Sequence, residues 1–380
     1  MANSSDRSIT AEAPPPRQDG ASDMRQSLPE DHQDSTPASG TYLPDHAPVV
    51  QIRPYTLADI PAVLRIPGKL RLDVPDSLVI PDSGALDLPA AMPFFRRDRP
   101  TFVAVADGHP IGFLRFLPRR PDGRWVLSSI AASTGVFAPE PVWDALLAYG
   151  VRSAGLRNVR RLFARVPIGS PLLESLRRTG WQAYAREAIY RADRLSLQPT
   201  TDAEVRPQEP ADTWAIHQLY AASAPRKVQE IEALTSHVWH MDPPRHRRRR
   251  RRRAGWVIDR SGQVAGHARR TRGAQADMVS VMVATEEADR FGLLLDTSLA
   301  GAGRGRPVYF ALRGYQSEFA TELAGRGFVE LGEQELLVRY TTALAKAHVH
   351  EPVLFPVELR PAIPRRVPTF FEGQPTDRMV

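Results

Sequence analysis

The 380-residue chain contains no cysteine, which excludes disulfide bonds, thiolate metal ligands and cysteine nucleophiles together. It also lacks any uninterrupted run of about 20 apolar residues, the length that a membrane-spanning helix needs. The first thirty residues carry no hydrophobic signal segment, so we expect a cytoplasmic protein without a membrane span. Lysine is scarce as well, with three residues among fifty basic ones. Because this skew is typical of a GC-rich bacterial genome, no single arginine is evidence for a site.

Most of the net charge of +7 comes from one short segment. Arg245 and the run Arg247–Arg253 supply eight positive charges, and the rest of the chain is close to neutral. Like charges repel each other, so we expect the run to be an exposed loop. Two interpretations remain open: a solvated surface segment, or a clamp that binds polyanions weakly and without sequence preference through their phosphates.

The two ends of the chain differ in composition from its middle. Residues 1–48 are rich in Pro, Ser, Asp and Gln and have few large apolar groups, which predicts a disordered tail. Residues 346–380 combine six prolines with several apolar residues. Repeated proline excludes helix and central strand there. This arm therefore either lies extended on the folded body or on a partner, or it is a loose tail.

Between these ends, one pattern of elements occurs twice. The order in each copy is strand, helix, hairpin, strand, helix, strand, helix, strand, which indicates a mixed α/β sheet with packed helices. The length also favours two domains, and we place them at 49–195 and 203–345. The matching segments include VVQIRP and EVRP, the hairpins 101–116 and 255–271 with Gly112 and Gly266, and the pairs Gly180-Trp181 and Gly327-Phe328.

This duplicated order resembles the GNAT acetyltransferase fold. The closest local matches are IRPYTLADIPAVLRI at 52–66, SPLLESLRRTGWQAYAREAIYRAD at 170–193 and FATELAGRGFVELGE at 319–333. In that family the fourth and fifth strands splay apart, and the pantetheine arm of acetyl-CoA pairs with the freed edge like an added strand. A glycine-containing loop after the fourth strand then presents N–H groups of a helix N-terminus to the pyrophosphate.

The resemblance implies a cofactor site in the second copy. Its residues would be Val281, Met282 and Val283 on the fourth strand, followed by Arg290, Gly292 and Leu293 at the helix that comes next. The first copy departs from the family's glycine pattern because Pro141, which has no N–H, and Trp143 stand where the glycines belong. In the second copy the acidic residues Glu286, Glu287 and Asp289 would repel a pyrophosphate.

The family's usual general acid, a tyrosine four residues before the Gly-aromatic pair, is replaced by Leu176 and Leu323. Tyr315, at the end of the fifth strand of the second copy, is the remaining candidate for this role, and a turn tyrosine is the alternative. Three serines, Ser128, Ser129 and Ser280, are the polar groups near the fourth strands, and serine is a poor base without a histidine.

The histidines do not have the spacing and carboxylate support of a metal site, so no metal is expected. The segment 71–100 would cover the acceptor site in such a fold, where Asp73, Asp76, Asp82 and Asp87 would receive an amine; a poorly ordered insertion is the alternative.

Two functions follow from this interpretation. The first is an acyl-CoA-dependent N-acyltransferase that uses acetyl-CoA or another acyl-CoA and a small-molecule or protein amine acceptor. The second is a non-catalytic binding or regulatory protein on the same fold, an acyl-CoA sensor or an anion-binding partner.

Overall fold

The computed structural model describes residues 49–72, 100–119, 123–133, 138–197, 204–241, 252–260, 262–273, 275–300, 302, 305–341 and 353–355. The predicted disordered tail and most of the C-terminal arm lie outside the described residues. So do the aspartates of the segment 71–100 and Arg247–Arg251.

The order of elements follows the repeated pattern of the sequence. The first repeat contains β1 (Val50–Pro54), α1 (Ile60–Arg65), β2 (Leu70–Arg71), β3 (Thr101–Ala106), β4 (His109–Arg119), β5 (Arg124–Ala132), α2 (Glu140–Leu156), β6 (Arg161–Pro167), α3 (Leu172–Arg178) and β7 (Gln182–Ala192). The second repeat contains β8 (Val205–Pro207), α4 (Thr213–Ser223), α5 (Arg226–Glu232), β9 (Arg252–Arg260), β10 (Gln263–Arg272), β11 (Asp277–Val283), α6 (Phe291–Leu299), β12 (Val308–Arg313), α7 (Ala320–Gly325) and β13 (Val329–Tyr340). Strand β14 (Val353–Phe355) follows in the C-terminal arm. The predicted mixed α/β class is confirmed.

One continuous sheet runs through both repeats. Its main path has the order β14-β1-β3-β4-β5-β6-β13-β7-β12-β11-β10-β9-β8, and β2 pairs with β5 beside this path. The pairs β5–β6 and β11–β12 are parallel, and the other neighbours are antiparallel. A helix connects the two strands of each parallel pair, as a parallel crossover requires.

The two repeats exchange their last strands. Strand β7, which ends the first repeat, pairs with β12 and β13 of the second repeat. Strand β13, which ends the second repeat, pairs with β6 and β7 of the first. Each last strand therefore hydrogen-bonds only to strands of the other repeat. The repeat was visible in the sequence, but this exchange was not.

Equivalent local structures confirm the repeat in detail. Arg53 donates two hydrogen bonds to Asp59, at 2.7 and 2.6 Å, and Arg206 donates two to Asp212, both at 2.8 Å. In each case the aspartate also accepts the backbone N–H three residues before it, at 2.7 Å. The common sequence R-P-x-x-x-x-D thus fixes the turn between the first strand and the first helix of each repeat.

The glycine of each hairpin lies where a helix crosses the sheet. A Cβ at Gly112 would lie 2.9 Å from Cγ1 of Val142 and 3.3 Å from Cδ1 of Leu146 on α2. A Cβ at Gly266 would lie 2.6 Å from Cδ1 of Leu294 on α6. Both glycines let a helix approach the strand closely, which places the largest apolar cores under α2 and α6.

Part of the C-terminal arm lies on the sheet edge. Residues 353–355 form β14, which pairs antiparallel with Val50, Gln51 and Ile52 of β1. Of the two alternatives for the arm, the extended one holds for these three residues. No helix among the described residues has the length and apolar character needed to span a bilayer.

Candidate functional site: a gap in the sheet of the second repeat

Strands β11 and β12 part halfway along their length. They pair from Asp277 opposite Val308 to Val279 opposite Phe310, although β11 continues to Val283 and β12 to Arg313. We call the space beyond this point the second-repeat gap. Among the described residues, no strand pairs with β11 on this side at residues 280–283.

The edge of β11 presents backbone groups to the second-repeat gap. The N–H of Asp277 bonds to Pro307, on the β12 side, and strand alternation gives residues 279, 281 and 283 the same direction. The carbonyl of Val281 accepts a hydrogen bond from Nε2 of Gln316 at 3.3 Å, and the carbonyl of Val283 accepts one from Oγ of Ser223 at 3.1 Å. The carbonyls of this edge are therefore hydrogen-bonded to side chains and not to a strand.

The corresponding gap in the first repeat is closed by the chain itself. Strands β5 and β6 pair only at Trp125–Leu162 and Val126–Phe163. Beyond that point β2 pairs with β5, with Leu70 opposite Ile130, and the N–H of Leu72 donates to the carbonyl of Ser128 at 2.8 Å.

Strand β2 is an integral part of the first core. Leu70 and Leu72 are buried in the cluster beneath α2. Ile130 corresponds to Val281 of the second repeat, because Ile130 lies opposite Leu114, two residues after Gly112, and Val281 lies opposite Ala268, two residues after Gly266. This part of the edge is thus covered by a packed main-chain segment in the first repeat, with Leu70 opposite Ile130, and by the Gln316 side chain in the second.

The predicted cofactor residues lie in two places. Val281 and Val283 are buried, and Met282 is half-buried, all at the second-repeat gap. Arg290 precedes α6 and makes ion pairs with Glu204 at 3.4 Å and Asp289 at 3.6 Å. The two groups of the prediction are thus adjacent in the fold, on the strand that borders the gap and at the start of the helix that follows it.

Gly292 and Leu293 lie in the first turn of α6. A Cβ at Gly292 would come within 2.6 Å of Nη2 of Arg326, whose guanidinium makes a bidentate pair with Asp296 at 2.8 and 2.7 Å. The absence of a side chain at Gly292 therefore serves the packing of Arg326. Leu293 is half-buried, and its carbonyl accepts a hydrogen bond from Thr297.

Tyr315 lies two residues after β12 and one residue before Gln316. Its ring packs against the same buried cluster as Met282, next to Tyr220 and Trp239. Burial raises the pKa of its phenol, and Arg313 opposes the rise. Its hydroxyl makes no hydrogen bond with any described residue. At neutral pH it is a protonated donor near the second-repeat gap.

A buried ionic network, which the sequence did not indicate, joins the repeats beside Tyr315. Arg313 pairs with Glu232 at 2.9 Å and with Glu187 at 3.3 Å. Burial alone would lower the pKa of Arg313, but the two carboxylates raise it well above its ordinary value. Glu232 also accepts hydrogen bonds from Tyr184 and Tyr220 at 3.0 and 3.1 Å. The partners come from both repeats and become neighbours only through the strand exchange.

The remaining polar candidates are dispersed. The rings of His237 and His240 have centroids 5.0 Å apart, and no three His, Asp or Glu side chains of the described residues converge as metal ligands. The expected loop Arg247–Arg253 is wrong at its end, because Arg252 and Arg253 are the first residues of β9 and pair with β10. The ladder hydrogen bonds of the hairpin extend into the arginine run.

The fold is a tandem one with a GNAT-like order of elements in each half, and the parted parallel strands are the feature that the resemblance implied. Three solved structures illustrate the similarity. A tandem GNAT protein from the clavulanic acid biosynthesis pathway has 16% identity, covers 77% of this chain and 98% of its own length, and gives a TM-score of 0.46. A GCN5-related N-acetyltransferase from Sphaerobacter thermophilus has 14% identity, with 78% and 98% covered and a TM-score of 0.46. One from Kribbella flavida has 19% identity, with 59% and 86% covered and a TM-score of 0.39.

No model of a protein family matches the chain, and no curated protein matches its sequence. With identities below 20% and TM-scores below 0.5, the three structures carry no argument about activity.

Proposed function

We propose that the protein is an acyl-CoA-dependent N-acyltransferase whose single thioester site is the second-repeat gap. The observation that carries the proposal is the edge of β11 at Val281 and Val283, which no strand of the described residues covers. An amide-bearing arm such as pantetheine can add to such an edge as a strand does. The first repeat does not offer this edge, because β2 occupies it. We therefore expect one acyl-CoA per chain.

The proposed chemistry needs little from side chains. A neutral amine attacks the thioester carbonyl directly, the C–N bond forms, the nitrogen loses one proton to water, and the thiolate of CoA leaves as the C–S bond breaks and takes up one proton. Backbone N–H groups at the gap would polarise the carbonyl, and positioning supplies much of the rate. Tyr315, protonated and without a described hydrogen-bond partner, is the candidate to give the leaving thiolate its proton.

The competing proposal is a binding protein without catalysis. It is favoured by the turn before α6, where Glu286, Glu287 and Asp289 place negative charge that would repel a pyrophosphate. It is also favoured by Leu323, which is fully buried in the second core where the family has its acid. In this alternative the gap would bind a thioester or an amide-containing ligand without turnover.

The first experiment measures binding. Acetyl-CoA and longer acyl-CoAs are titrated calorimetrically and by thermal shift, where ligand at 100 times Kd adds about 2.7 kcal/mol to stability. We expect a stoichiometry of one. The absence of any shift with millimolar thioesters would refute an acyl-CoA site, while binding without thiol release over a broad amine panel would favour the sensor.

The variant Gln316→Ala tests the location of the site. Removal of the Gln316 amide frees the carbonyl of Val281, for which a pantetheine amide would otherwise compete. One hydrogen bond is worth about 0.5–1.5 kcal/mol net, so Kd should fall about 2- to 10-fold. Gln218→Ala, at an exposed site on α4, is the matched control. An unchanged Kd in Gln316→Ala would place the ligand elsewhere.

A further inference from the structure

Two adjoining cavities lie where the second repeat covers the sheet of the first. The larger, of about 310 Å³, is bordered by the starts of β5 and β6 and by the end of α5. The smaller, of about 210 Å³, extends toward the end of β12. They share Arg124, Phe163 and Glu232. We call the two together the seam cavity.

Positive charge dominates the wall of the seam cavity. One acidic residue, Glu232, and six arginines line it, namely Arg119, Arg124, Arg160, Arg161, Arg165 and Arg313. Glu232 is already bonded to Arg313, Tyr184 and Tyr220, so its charge is compensated inside the protein. Arg313 and Arg165 also face the buried carboxylate of Glu187, at 3.3 and 3.6 Å. The charge left for a ligand is therefore that of Arg160 and Arg161.

Two of these arginines are available to a ligand. The side chains of Arg160 and Arg161 make no hydrogen bond or ion pair with the described residues, and they follow a turn that Asn158 closes with a φ of 58°. Guanidinium groups bind carboxylate and phosphate oxygens in pairs. Both line the larger cavity, Arg161 as the first residue of β6 and Arg160 as the residue before it, so an anion in this cavity can contact either.

Apolar and aromatic side chains form part of the remaining wall. The guanidinium of Arg124 lies over the ring of Phe163, 5.7 Å from its centroid. Val126, Leu234 and Val238 complete this part of the smaller cavity. A combined volume of several hundred Å³, with apolar walls and a few convergent polar groups, is typical of a small-molecule site.

We propose that the seam cavity binds a small organic dianion, a molecule with an apolar body and a phosphate ester or a pair of carboxylates. The end of the site that holds Arg160 and Arg161 is distinct from the second-repeat gap, and Arg313, at the end of β12, lines its other end. The end with Arg160 and Arg161 lies on the first repeat at Gly123 and Arg124, at the start of β5, whereas the proposed thioester edge belongs to β11. The site exists because α5 of one repeat packs over strands of the other, so neither repeat contains it alone.

The test uses the full chain in 150 mM NaCl and four probes. Phenyl phosphate and phthalate are aromatic dianions, and comparing them distinguishes a phosphate ester from a dicarboxylate as the ligand. Inorganic phosphate lacks the apolar body, and benzyl alcohol lacks the charge. We expect saturable calorimetric binding of at least one aromatic dianion, at least 10-fold weaker binding of inorganic phosphate, and none of benzyl alcohol. Saturable binding of neither aromatic dianion would overturn the proposal, and so would equal binding of benzyl alcohol.

Variants locate the binding. The double variant Arg160→Gln/Arg161→Gln should raise the Kd of the dianion at least 10-fold. The single variants, measured in parallel, should each raise it several-fold. Arg152→Gln, at an exposed arginine of α2, is the control for loss of charge and should bind like the wild type. Unchanged affinity in the single variants would refute the site even if the double variant failed to fold. None of these residues borders the second-repeat gap, so acyl-CoA titrations test the proposed function independently.

Discussion

Glu187 and Gln334 hold equivalent positions in the two repeats and hydrogen-bond to each other. They lie opposite each other in the pairing of β7 with β13, and Nε2 of Gln334 donates to Oε1 of Glu187 at 2.5 Å. Both side chains are buried. The contact marks the centre of the strand exchange, and the carboxylate of Glu187 also faces Arg165 at 3.6 Å and Arg313 at 3.3 Å.

We predict that Glu187→Gln strongly destabilises the protein. The substitution preserves shape but removes the charge that compensates two poorly solvated guanidinium groups, a change that costs about 3–5 kcal/mol in buried pairs. The free energy of unfolding is measured by urea titration. Glu333→Gln, at an exposed site on β13, should change it by less than about 0.5 kcal/mol. Equal effects of the two variants would mean that the network contributes nothing.

Separated repeats should not fold. Because β7 and β13 pair only with the other repeat, a fragment of residues 1–200 or 201–380 has a last strand without a partner and an unfilled place in its sheet. We expect each fragment alone to lack a cooperative urea transition, and the two mixed at equal concentration to regain one. A cooperative transition in either isolated fragment would show that the exchanged strands are dispensable.

Stability should decline as the pH falls below about 6.5, and His267 should be one cause. Burial lowers the pKa of this imidazole to about 3, Arg269 lowers it further, and Asp212 opposes the shift. The unfolded chain therefore binds a proton at His267 that the folded chain does not, from about pH 6.5 down to about 3. The stability that His267 contributes by staying neutral is fully present above pH 6.5. Below pH 6.5 it is lost by up to about 1.4 kcal/mol per pH unit.

The measurement is the urea midpoint between pH 5 and 7.5. His267→Gln should flatten the slope between pH 5 and 6.5, whereas His109→Gln, at the exposed first residue of β4, should leave it as in the wild type. If His267→Gln retains the full slope, another group is responsible. The window stops at pH 5 because Glu232 contributes to the pH dependence of stability at lower pH. Burial raises the pKa of Glu232, but Arg313 and Arg165 outweigh burial and lower it.

Equivalent glycines should differ in their tolerance of alanine. A Cβ at Gly112 would lie 2.8 Å from the backbone oxygen of Ala131, whereas a Cβ at Gly266 meets only the end of the Leu294 side chain at 2.6 Å. A backbone atom cannot rotate away, so Gly112→Ala should lower the free energy of unfolding more than Gly266→Ala does. The expected loss for Gly112→Ala is about 1–3 kcal/mol, as for overpacking, or more. Urea titration of both variants gives the order, and the reverse order would contradict the packing described at α2.

The sequence by itself determined the duplicated order of elements, because strand and helix periodicity, the turn at Asp107-Gly108 and the Gly-aromatic pairs are local properties of the chain. It also contained the repeated R-P-x-x-x-x-D motif, whose aspartates Asp59 and Asp212 could have been found by comparing the two copies.

Only the tertiary structure decided which strand pairs with which. The exchange of β7 and β13, the burial of Glu187 against Arg313, and the covering of the Ser128 carbonyl by Leu72 depend on contacts between residues far apart in the chain. The two repeats carry similar periodicity, so the pattern of a last strand does not say which repeat it pairs with. Packing of the complete sheet selects the pairing, and with it the repeat whose edge stays open.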